Sequence, residues 1–203
     1  MADETWETVE KRPKKRTGVR RSKEQQPPKW FVDLPPVPAP NEDDTFEPFI
    51  LLLMGLPGSG KSTLAKKLEE MMPWKYERVN QDELGNRKAC FRRARDILLA
   101  KKCPVVDRCN AGLVHRKPFY ELAKECGAKV DCIVLEVPRH TCLERCRGRR
   151  DHPTIDPRDA GKVIGFMQKE WAIPNLSVET MLRDITTVSQ EEEMRELLGS
   201  LSL

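Results

Sequence analysis

The chain has 203 residues, of which 36 are Lys or Arg and 32 are Asp or Glu, giving a formal net charge of +4 at pH 7. Its length allows one α/β core with tails, and the absence of any run of about 20 apolar residues excludes a transmembrane helix, so we expect no contact with membranes. The seven cysteines are odd in number and scattered, which favours reduced thiols over a disulfide framework and predicts a protein of the nucleus and/or cytoplasm.

Residues 1–47 are predicted to be a mostly disordered basic and Pro-rich tail, and residues 48–203 a folded domain. The tail lacks sustained apolar periodicity and holds a Pro-rich run from Leu34 to Pro40. Between Lys11 and Lys23 there are eight Lys or Arg and no acid. Such a cluster is typical of a nuclear-import signal, a non-specific nucleic-acid arm or a solvated tail. Trp30 and Phe31 either pack on the domain or bind a partner.

The first element of the domain is a buried strand that runs into a phosphate-binding loop. Six apolar residues, 49–54, precede a segment that satisfies G-x-x-x-x-G-K-[ST] from Gly55 to Ser62, and apolar residues at helical spacing follow it. Glycines let backbone N–H groups wrap a triphosphate closely, Lys61 supplies charge to the β- and γ-phosphates, and the Ser62 hydroxyl binds Mg²⁺. The alternative interpretation is that the glycines form a turn by chance and bind no nucleotide. The residues predicted to bind ATP are Gly55, Pro57, Gly58, Ser59, Gly60, Lys61, Ser62 and Thr63.

The rest of the domain alternates strands with helices, which predicts a parallel sheet of about five strands with helices on both faces. The predicted strands after the first cover 76–80, 104–107, 130–137 and 184–188. The predicted helices cover 62–72, 83–101, 113–126, 139–147, 159–171 and a last segment from residue 190.

Two acids follow predicted strands at the edge of the sheet where the phosphate loop lies. Asp82 follows the second strand and Asp107 ends the third, so both are expected to reach the γ-phosphate side. For Asp82 the alternative is a helix N-cap. Behind Asp82, the long helix carries Lys88, Arg92 and Arg95 on a stripe separate from its apolar face, at positions suited to phosphate contacts.

Five arginines and one glutamate lie between Arg139 and Arg150. A solvated helix end explains this pattern through the helix dipole, but beside a phosphate loop it favours an Arg-rich lid that stabilises charge on the transferring phosphoryl group. Cys142 and Cys146, one helical turn apart, suggest zinc together with Cys126 and Cys132, yet the spacing matches no common ligand pattern and favours buried thiols.

Four segments together resemble the kinase domain of polynucleotide 5′-hydroxyl kinases: G-L-P-G-S-G-K-S-T from Gly55, V-N-Q-D-E-L-G from Val79, V-D-R-C-N from Val106, and Arg145-x-x-x-Arg149. The resemblance covers about residues 49–175 and implies a P-loop kinase fold and transfer of the γ-phosphate of ATP to DNA or RNA ends.

The resemblance also implies roles for individual residues. Asp82 would be the general base, Lys61, Arg145 and Arg149 the catalytic cations, and Ser62 and Asp107 the magnesium site. The residues implied or predicted to bind the acceptor are Asp82, Arg87, Arg92, Asp107 and Asn110. The family commonly shows D-N-T-N where this chain has D-R-C-N, and the phosphatase motif D-x-D-G-T is absent here, so we expect a kinase module alone.

Two other functions fit the same residues. Many P-loop kinases phosphorylate sugars, nucleosides or similar small molecules with the same loop, aspartate and lid. A non-catalytic ATP-binding module, in which ATP orders the lid for a partner, is the second alternative. No aromatic-rich RNA-binding signature occurs, so the sequence predicts no base-specific recognition.

Overall fold

The computed structural model describes residues 46–148 and 155–201. The basic cluster Lys11–Lys23, the Trp30–Phe31 pair and Arg149 lie outside these ranges, and the tail predicted over residues 1–47 stays a prediction. The Phe46 ring packs edge-on against Trp74 with 5.9 Å between ring centroids, so the packed unit includes residue 46.

The predicted alternation of strands and helices is confirmed. The strands are β1 (Phe49–Gly55), β2 (Tyr76–Asn80), β3 (Cys103–Asp107), β4 (Lys129–Leu135) and β5 (Leu182–Val188). The helices are α1 (Lys61–Met71), α2 (Gln81–Leu84), α3 (Arg87–Leu99), α4 (Leu113–Cys126), α5 (Arg139–Gly148), α6 (Ala160–Lys169) and α7 (Glu191–Leu201).

The five strands form one parallel sheet in the order β2-β3-β1-β4-β5. β1 is central and every one of its residues is buried, because alternate side chains enter cores on opposite faces. Phe49, Leu51 and Leu53 pack in the core that α1 and α7 cover. Ile50 and its alternate neighbours pack in the core that α3 and α4 cover.

The helix predicted from Glu83 to Lys101 is wrong as a single element, because it consists of α2 and α3. Gly85 adopts φ 82°, a left-handed backbone that glycine reaches without a Cβ penalty, and its N–H closes α2 on Gln81 at 2.8 Å. The Asn86 side chain then accepts a hydrogen bond from the Ala89 N–H at 2.9 Å and starts α3. The break orients α2, which carries Asp82, independently of α3.

A third, smaller core lies between α5, α6 and the phosphate loop. It contains Leu56, Cys142, Cys146, Ala160 and Ile164, all buried. The interpretation of the cysteines as buried thiols is confirmed for these two and for Cys132, while Cys126 is half-buried. Across residues 46–148 and 155–201, no cluster of three His, Cys, Asp or Glu is placed to hold a metal, and no helix is long and apolar enough to cross a bilayer.

Candidate active site

The predicted phosphate-binding loop connects β1 to α1 and is tight enough to require glycine. Gly58 has φ 87°, and a Cβ on it would lie 2.4 Å from the Cys142 carbonyl oxygen of α5. Lys61 is almost fully buried; its Nζ donates to the carbonyl oxygens of Gly55 at 2.9 Å and Leu56 at 2.8 Å. The loop therefore holds its lysine close to the backbone that would cradle phosphates.

Ser62, in the first turn of α1, and Asp107, at the carboxyl end of β3, form the expected pair. The Ser62 hydroxyl donates to Asp107 Oδ1 at 3.1 Å, and Asp107 is 4% exposed. A hydroxyl beside a carboxylate is a set of hard oxygen ligands that suits Mg²⁺, which takes one or two protein ligands and completes its shell with phosphate oxygens and water. The two residues therefore fit a nucleotide-bound magnesium ion.

Two residues of β2 hold the Asp107 carboxylate from the other side. Asn80 Nδ2 donates to Oδ2 at 2.8 Å, and Arg78 donates to the same oxygen through Nε at 2.8 Å and Nη2 at 2.7 Å. Arg78 also pairs with Glu83 of α2 at 2.6 Å. The sequence analysis missed Arg78, although the period of two along a strand places it on the same face as Asn80, and Asn80 is the register partner of Asp107.

Asp82 is not the N-cap of the helix that carries it. That position belongs to Asn80, whose Oδ1 accepts the Glu83 N–H at 3.1 Å. Asp82 lies in the first turn of α2, is exposed, and receives no side-chain hydrogen bond from the described residues. The N-cap alternative is thus wrong, and the carboxylate is available to a substrate.

One cavity of about 470 Å³ joins the two halves of the predicted site. Its phosphate-loop end is lined by Lys61 and Ser62, and its other end by Asp82 and Arg87. Five more of the predicted site residues line this cavity: Pro57, Gly58, Gly60, Asp107 and Asn110. Arg92 lies outside the cavity with Lys88 and Arg95 on the exposed face of α3, so its contact with an acceptor stays a prediction.

Asn110 stabilises the loop that follows β3 through hydrogen bonds of its side chain and its carbonyl. It adopts φ 46°, a conformation that asparagine tolerates better than most residues, and its Nδ2 donates to the Leu53 carbonyl at 2.8 Å. Its carbonyl accepts from Arg116 at 3.0 Å. Arg116 is fully buried and forms a two-bond pair with Glu179 at 2.9 and 2.7 Å. Asn110 Oδ1 has no partner in the described residues, so its acceptor contact stays a prediction.

Helix α5, which the sequence analysis predicts to be the lid, contacts the phosphate loop through Arg145, whose Nη1 donates to the Gly58 carbonyl at 3.3 Å. The predicted partner, Arg149, lies outside the described residues. A separate cavity of about 170 Å³ between Ser59, Arg145 and the start of α7 adjoins the loop. These contacts place one lid arginine beside the expected polyphosphate.

Parts of this chain are similar in sequence to known proteins. A family model described as an AAA domain matches residues 86–163. A bifunctional polynucleotide phosphatase/kinase of Schizosaccharomyces pombe is 38% identical over 100 residues, which are 47% of this chain and 24% of that protein. A transcription factor of Arabidopsis thaliana, bHLH140, is 30% identical over 142 residues, 67% of this chain and 16% of its own length. The chain is a P-loop kinase domain related to the polynucleotide kinases. It spans less than a quarter of these two relatives.

Solved structures show the same fold for this P-loop kinase domain. Kti12 of Chaetomium thermophilum, in complex with ADP-AlF3, has a TM-score of 0.59 at 17% identity and covers 75% of this chain and 96% of its own. The APS kinase CysC of Mycobacterium tuberculosis, in complex with AMPPNP and APS, has a TM-score of 0.51 at 17% identity, covering 77% and 99%. The α/β P-loop kinase fold is confirmed.

Proposed function

We propose that this chain transfers the γ-phosphate of ATP to a 5′-hydroxyl end of DNA or RNA. The observation that carries the proposal is the single cavity in which the phosphate loop, the unpaired carboxylate of Asp82 and the basic residue Arg87 meet. A relative named as a polynucleotide phosphatase/kinase supports the acceptor class. The fold shared with sugar and APS kinases supports phosphoryl transfer in general.

The phosphate loop and the lid provide the charge that phosphoryl transfer requires. Backbone N–H groups of the loop bind the β- and γ-phosphates, with Lys61 and Arg145 neutralising the charge that spreads over the transferring group. Ser62 and Asp107 would hold Mg²⁺, which supplies Lewis-acid neutralisation of the phosphate oxygens. Arg78 and Asn80 keep the Asp107 carboxylate in one orientation.

Asp82 accepts the proton of the acceptor hydroxyl. As the acceptor oxygen forms its bond to the γ-phosphorus, the bond between that phosphorus and the β,γ-bridging oxygen breaks and ADP leaves with the electron pair. A carboxylate that neither caps a helix nor pairs with a described cation is available for this proton. The adjoining 170 Å³ cavity, which Val137, Pro138 and Gln190 help to line, suits the base of ATP.

The test is transfer of labelled γ-phosphate from ATP to short single-stranded RNA, single-stranded DNA and nicked duplexes with 5′-hydroxyl ends. We expect labelling of at least one class and its loss in Lys61→Ala. Small sugars and APS serve as alternative acceptors, and labelling of those alone would move the function to a small-molecule kinase. Bound ATP with no labelled acceptor would identify a non-catalytic module.

The N-terminal tail extends the proposal. The cluster Lys11–Lys23 supports nuclear import or sequence-independent binding to nucleic acid, and Trp30–Phe31 supports contact with a partner. Microscopy of the tagged full chain, beside a variant with the cluster changed to glutamine, tests localisation. Uniform distribution of both forms would argue against an import signal.

A further inference from the structure

A third cavity, of about 310 Å³, lies where the end of β4 meets the helices α5 and α6. Its lining comes from three parts of the chain: Leu56 of the phosphate loop, residues 135–139 between β4 and α5, and Gln168 and Trp171 at the end of α6. This volume falls at the lower end of the range of small-molecule sites, about 300–1,000 Å³. The proposed phosphoryl transfer gives this cavity no role.

The polar side chains that line this cavity are not engaged by the protein. Glu136, Arg139, Gln168 and Trp171 make no side-chain hydrogen bond or ion pair within residues 46–148 and 155–201. Glu136 and Arg139 carry opposite charges at one cavity, yet they do not pair with each other. Both are exposed, so water satisfies them until a ligand displaces it. A carboxylate acceptor and a guanidinium donor are therefore available to a third molecule.

Main-chain hydrogen bonds hold the walls of the cavity in place. The Glu136 N–H donates to the Val188 carbonyl at 2.9 Å, which continues the pairing of β4 with β5. On the opposite wall, the Trp171 N–H donates to the Gln168 carbonyl at 3.2 Å. The Trp171 ring is half-buried and packs against two of the three cores. The backbone that carries the carboxylate and the indole is thus fixed before a ligand binds, which lowers the entropic cost of binding.

This set of side chains matches guanine better than adenine. A carboxylate accepts two parallel N–H donors, and a guanidinium donates to two adjacent acceptors. Guanine offers N1–H and N2–H on one edge and O6 and N7 on the next, whereas adenine presents an acceptor beside its amine on each edge. The Trp171 indole, with Leu56 and Val137, provides apolar surface for a planar base.

We propose that this cavity binds a guanine base. Glu136 accepts hydrogen bonds from N1–H and N2–H, Arg139 donates to O6 and N7, and Trp171 stacks on the ring. A free guanine nucleotide and an unpaired guanine of a nucleic-acid strand share this chemistry. The site is distinct from the cavity of Asp82 and from the cavity proposed for the base of ATP.

The guanine site is connected to the phosphate loop. Leu56 belongs to the loop and lines the cavity, and Val137 and Pro138 line both this cavity and the 170 Å³ cavity proposed for the base of ATP. The Pro138 carbonyl accepts from the Cys142 N–H at 3.0 Å, and a Cβ on Gly58 would lie 2.4 Å from the Cys142 carbonyl oxygen. A base that restrains residues 136–139 therefore favours ATP binding, and by linkage ATP favours the base by the same factor.

Equilibrium dialysis of labelled guanosine against the full chain tests the proposal, without ATP and with a saturating non-hydrolysable ATP analogue. Two related nucleosides each remove one edge of the base: inosine lacks the N2 amine, and 7-deazaguanosine lacks the N7 acceptor. The matching variants are Glu136→Gln and Arg139→Gln, both at exposed positions. The control is Glu125→Gln, an exposed acid of α4 outside the cavity. Affinity for ATP, measured in parallel, reports folding.

We expect saturable binding of guanosine that persists or tightens when the ATP analogue is present, and much weaker binding of adenosine. Inosine should bind the unmodified chain about tenfold more weakly than guanosine, as loss of a charge-assisted hydrogen bond does, with no further loss in Glu136→Gln. The same relation should hold between 7-deazaguanosine and Arg139→Gln. Glu125→Gln should bind guanosine as the unmodified chain does.

Displacement of guanosine by the ATP analogue would place the base in the phosphate-donor site and overturn the proposal. Equal affinities for guanosine and adenosine would also overturn it, as would the absence of saturable guanosine binding. So would losses that multiply when each analogue is combined with its matching variant. Because the readout is binding, these outcomes do not depend on whether the chain has the proposed kinase activity.

Competition against labelled guanosine distinguishes the two sources of the base. Guanosine 5′-monophosphate and a short oligonucleotide with one unpaired guanine are compared with the same oligonucleotide carrying adenine. Competition by the mononucleotide alone identifies a free guanine nucleotide as the ligand. Competition by the guanine oligonucleotide, at lower concentration than the mononucleotide and not by the adenine oligonucleotide, identifies a nucleic-acid strand.

Discussion

At the scale of single residues, Asn80 and Asp82 have different roles in the site. Asn80 performs two structural tasks, capping α2 and holding Asp107, which leaves Asp82 without either. The sequence alone does not show which of the two residues caps α2, because asparagine and aspartate are both good N-caps. Their hydrogen bonds assign the roles.

Asp82→Asn should therefore separate chemistry from binding. Because the substitution removes a base without touching the phosphate loop, we expect kcat to fall by about 10²-fold or more, with affinity for ATP within about twofold. Steady-state transfer and ATP titration measure the two. The control is Asp96→Asn on the exposed face of α3. Equal losses of ATP affinity and turnover in Asp82→Asn would contradict the role of base.

Arg78 provides a second prediction at this scale, about stability. Its pair with Asp107 is almost buried, with side chains 10% and 2% exposed. Burial alone lowers the pKa of Arg78, but hydrogen bonds and attraction from Glu83 and Asp107 outweigh it and raise that pKa. Replacing the arginine leaves a buried carboxylate with fewer partners, so we expect Arg78→Gln to lower the free energy of unfolding by about 3 kcal/mol.

The matched control is an arginine whose ion pair also involves β2 but lies at the surface. Arg93 pairs with Glu77, and the two side chains are 49% and 24% exposed. Exposed pairs contribute about 0–1 kcal/mol, so Arg93→Gln should cost much less in the same urea titration. Similar losses for the two variants would mean that Arg78 contributes through packing rather than through charge.

At the scale of elements, the parallel sheet, the number of strands and the functional ends of β1 and β3 follow from hydrophobic runs and one motif, whereas the strand order comes from the structure. Seven buried residues in β1 read as a strand covered on both faces, and the structure confirms this. The break between α2 and α3 was missed because Gly85 and Asn86 interrupt a helix-compatible pattern for only two residues.

Gly58 and Gly85 separate two costs of replacing a glycine in a turn: the cost of a positive φ and the cost of a steric clash with a neighbour. Their φ values are similar, 87° and 82°, but an added Cβ meets the Cys142 carbonyl at 2.4 Å in one case and nothing within 4 Å in the other. Gly85→Ala should thus lose only the left-handed backbone cost, about 1–2 kcal/mol. Gly58→Ala should lose more, and should also raise KM for ATP, because it pushes the phosphate loop away from α5. Thermal unfolding and ATP titration of both variants make the comparison, and equal losses would show that the Cys142 contact yields freely.

At the scale of the whole molecule, one buried ion pair joins distant parts of the chain. Arg116 of α4 and Glu179, 63 positions apart, meet under the loop that carries Asn110, and Arg116 also holds the carbonyls of Asn110 and Ala172. Tyr120 donates a further hydrogen bond to Glu179. The network fixes the acceptor side of the site to the segment before β5.

This network should make stability depend on acid pH. Burial raises the pKa of Glu179, but hydrogen bonds from Arg116 and Tyr120 and the charge of Arg116 outweigh it, so the folded-state pKa lies below the ordinary value of 4.5. A depressed carboxyl pKa stabilises the fold above the unfolded-state pKa, and this contribution is lost as pH falls through the folded-state value. The free energy of unfolding should therefore decline below about pH 4.5.

Glu179→Gln isolates that contribution from the other carboxylates. The variant should be about 3 kcal/mol less stable at pH 7, since Arg116 is left buried without its charge partner. Its urea-unfolding curve should then depend less on pH between about 5 and 3 than that of the unmodified chain, because the group that titrates is gone. Glu121→Gln, on the exposed face of α4, should leave the pH profile unchanged. If the profiles of Glu179→Gln and the unmodified chain run parallel over that range, the acid loss arises from other carboxylates and Glu179 acts only as a neutral hydrogen-bond acceptor.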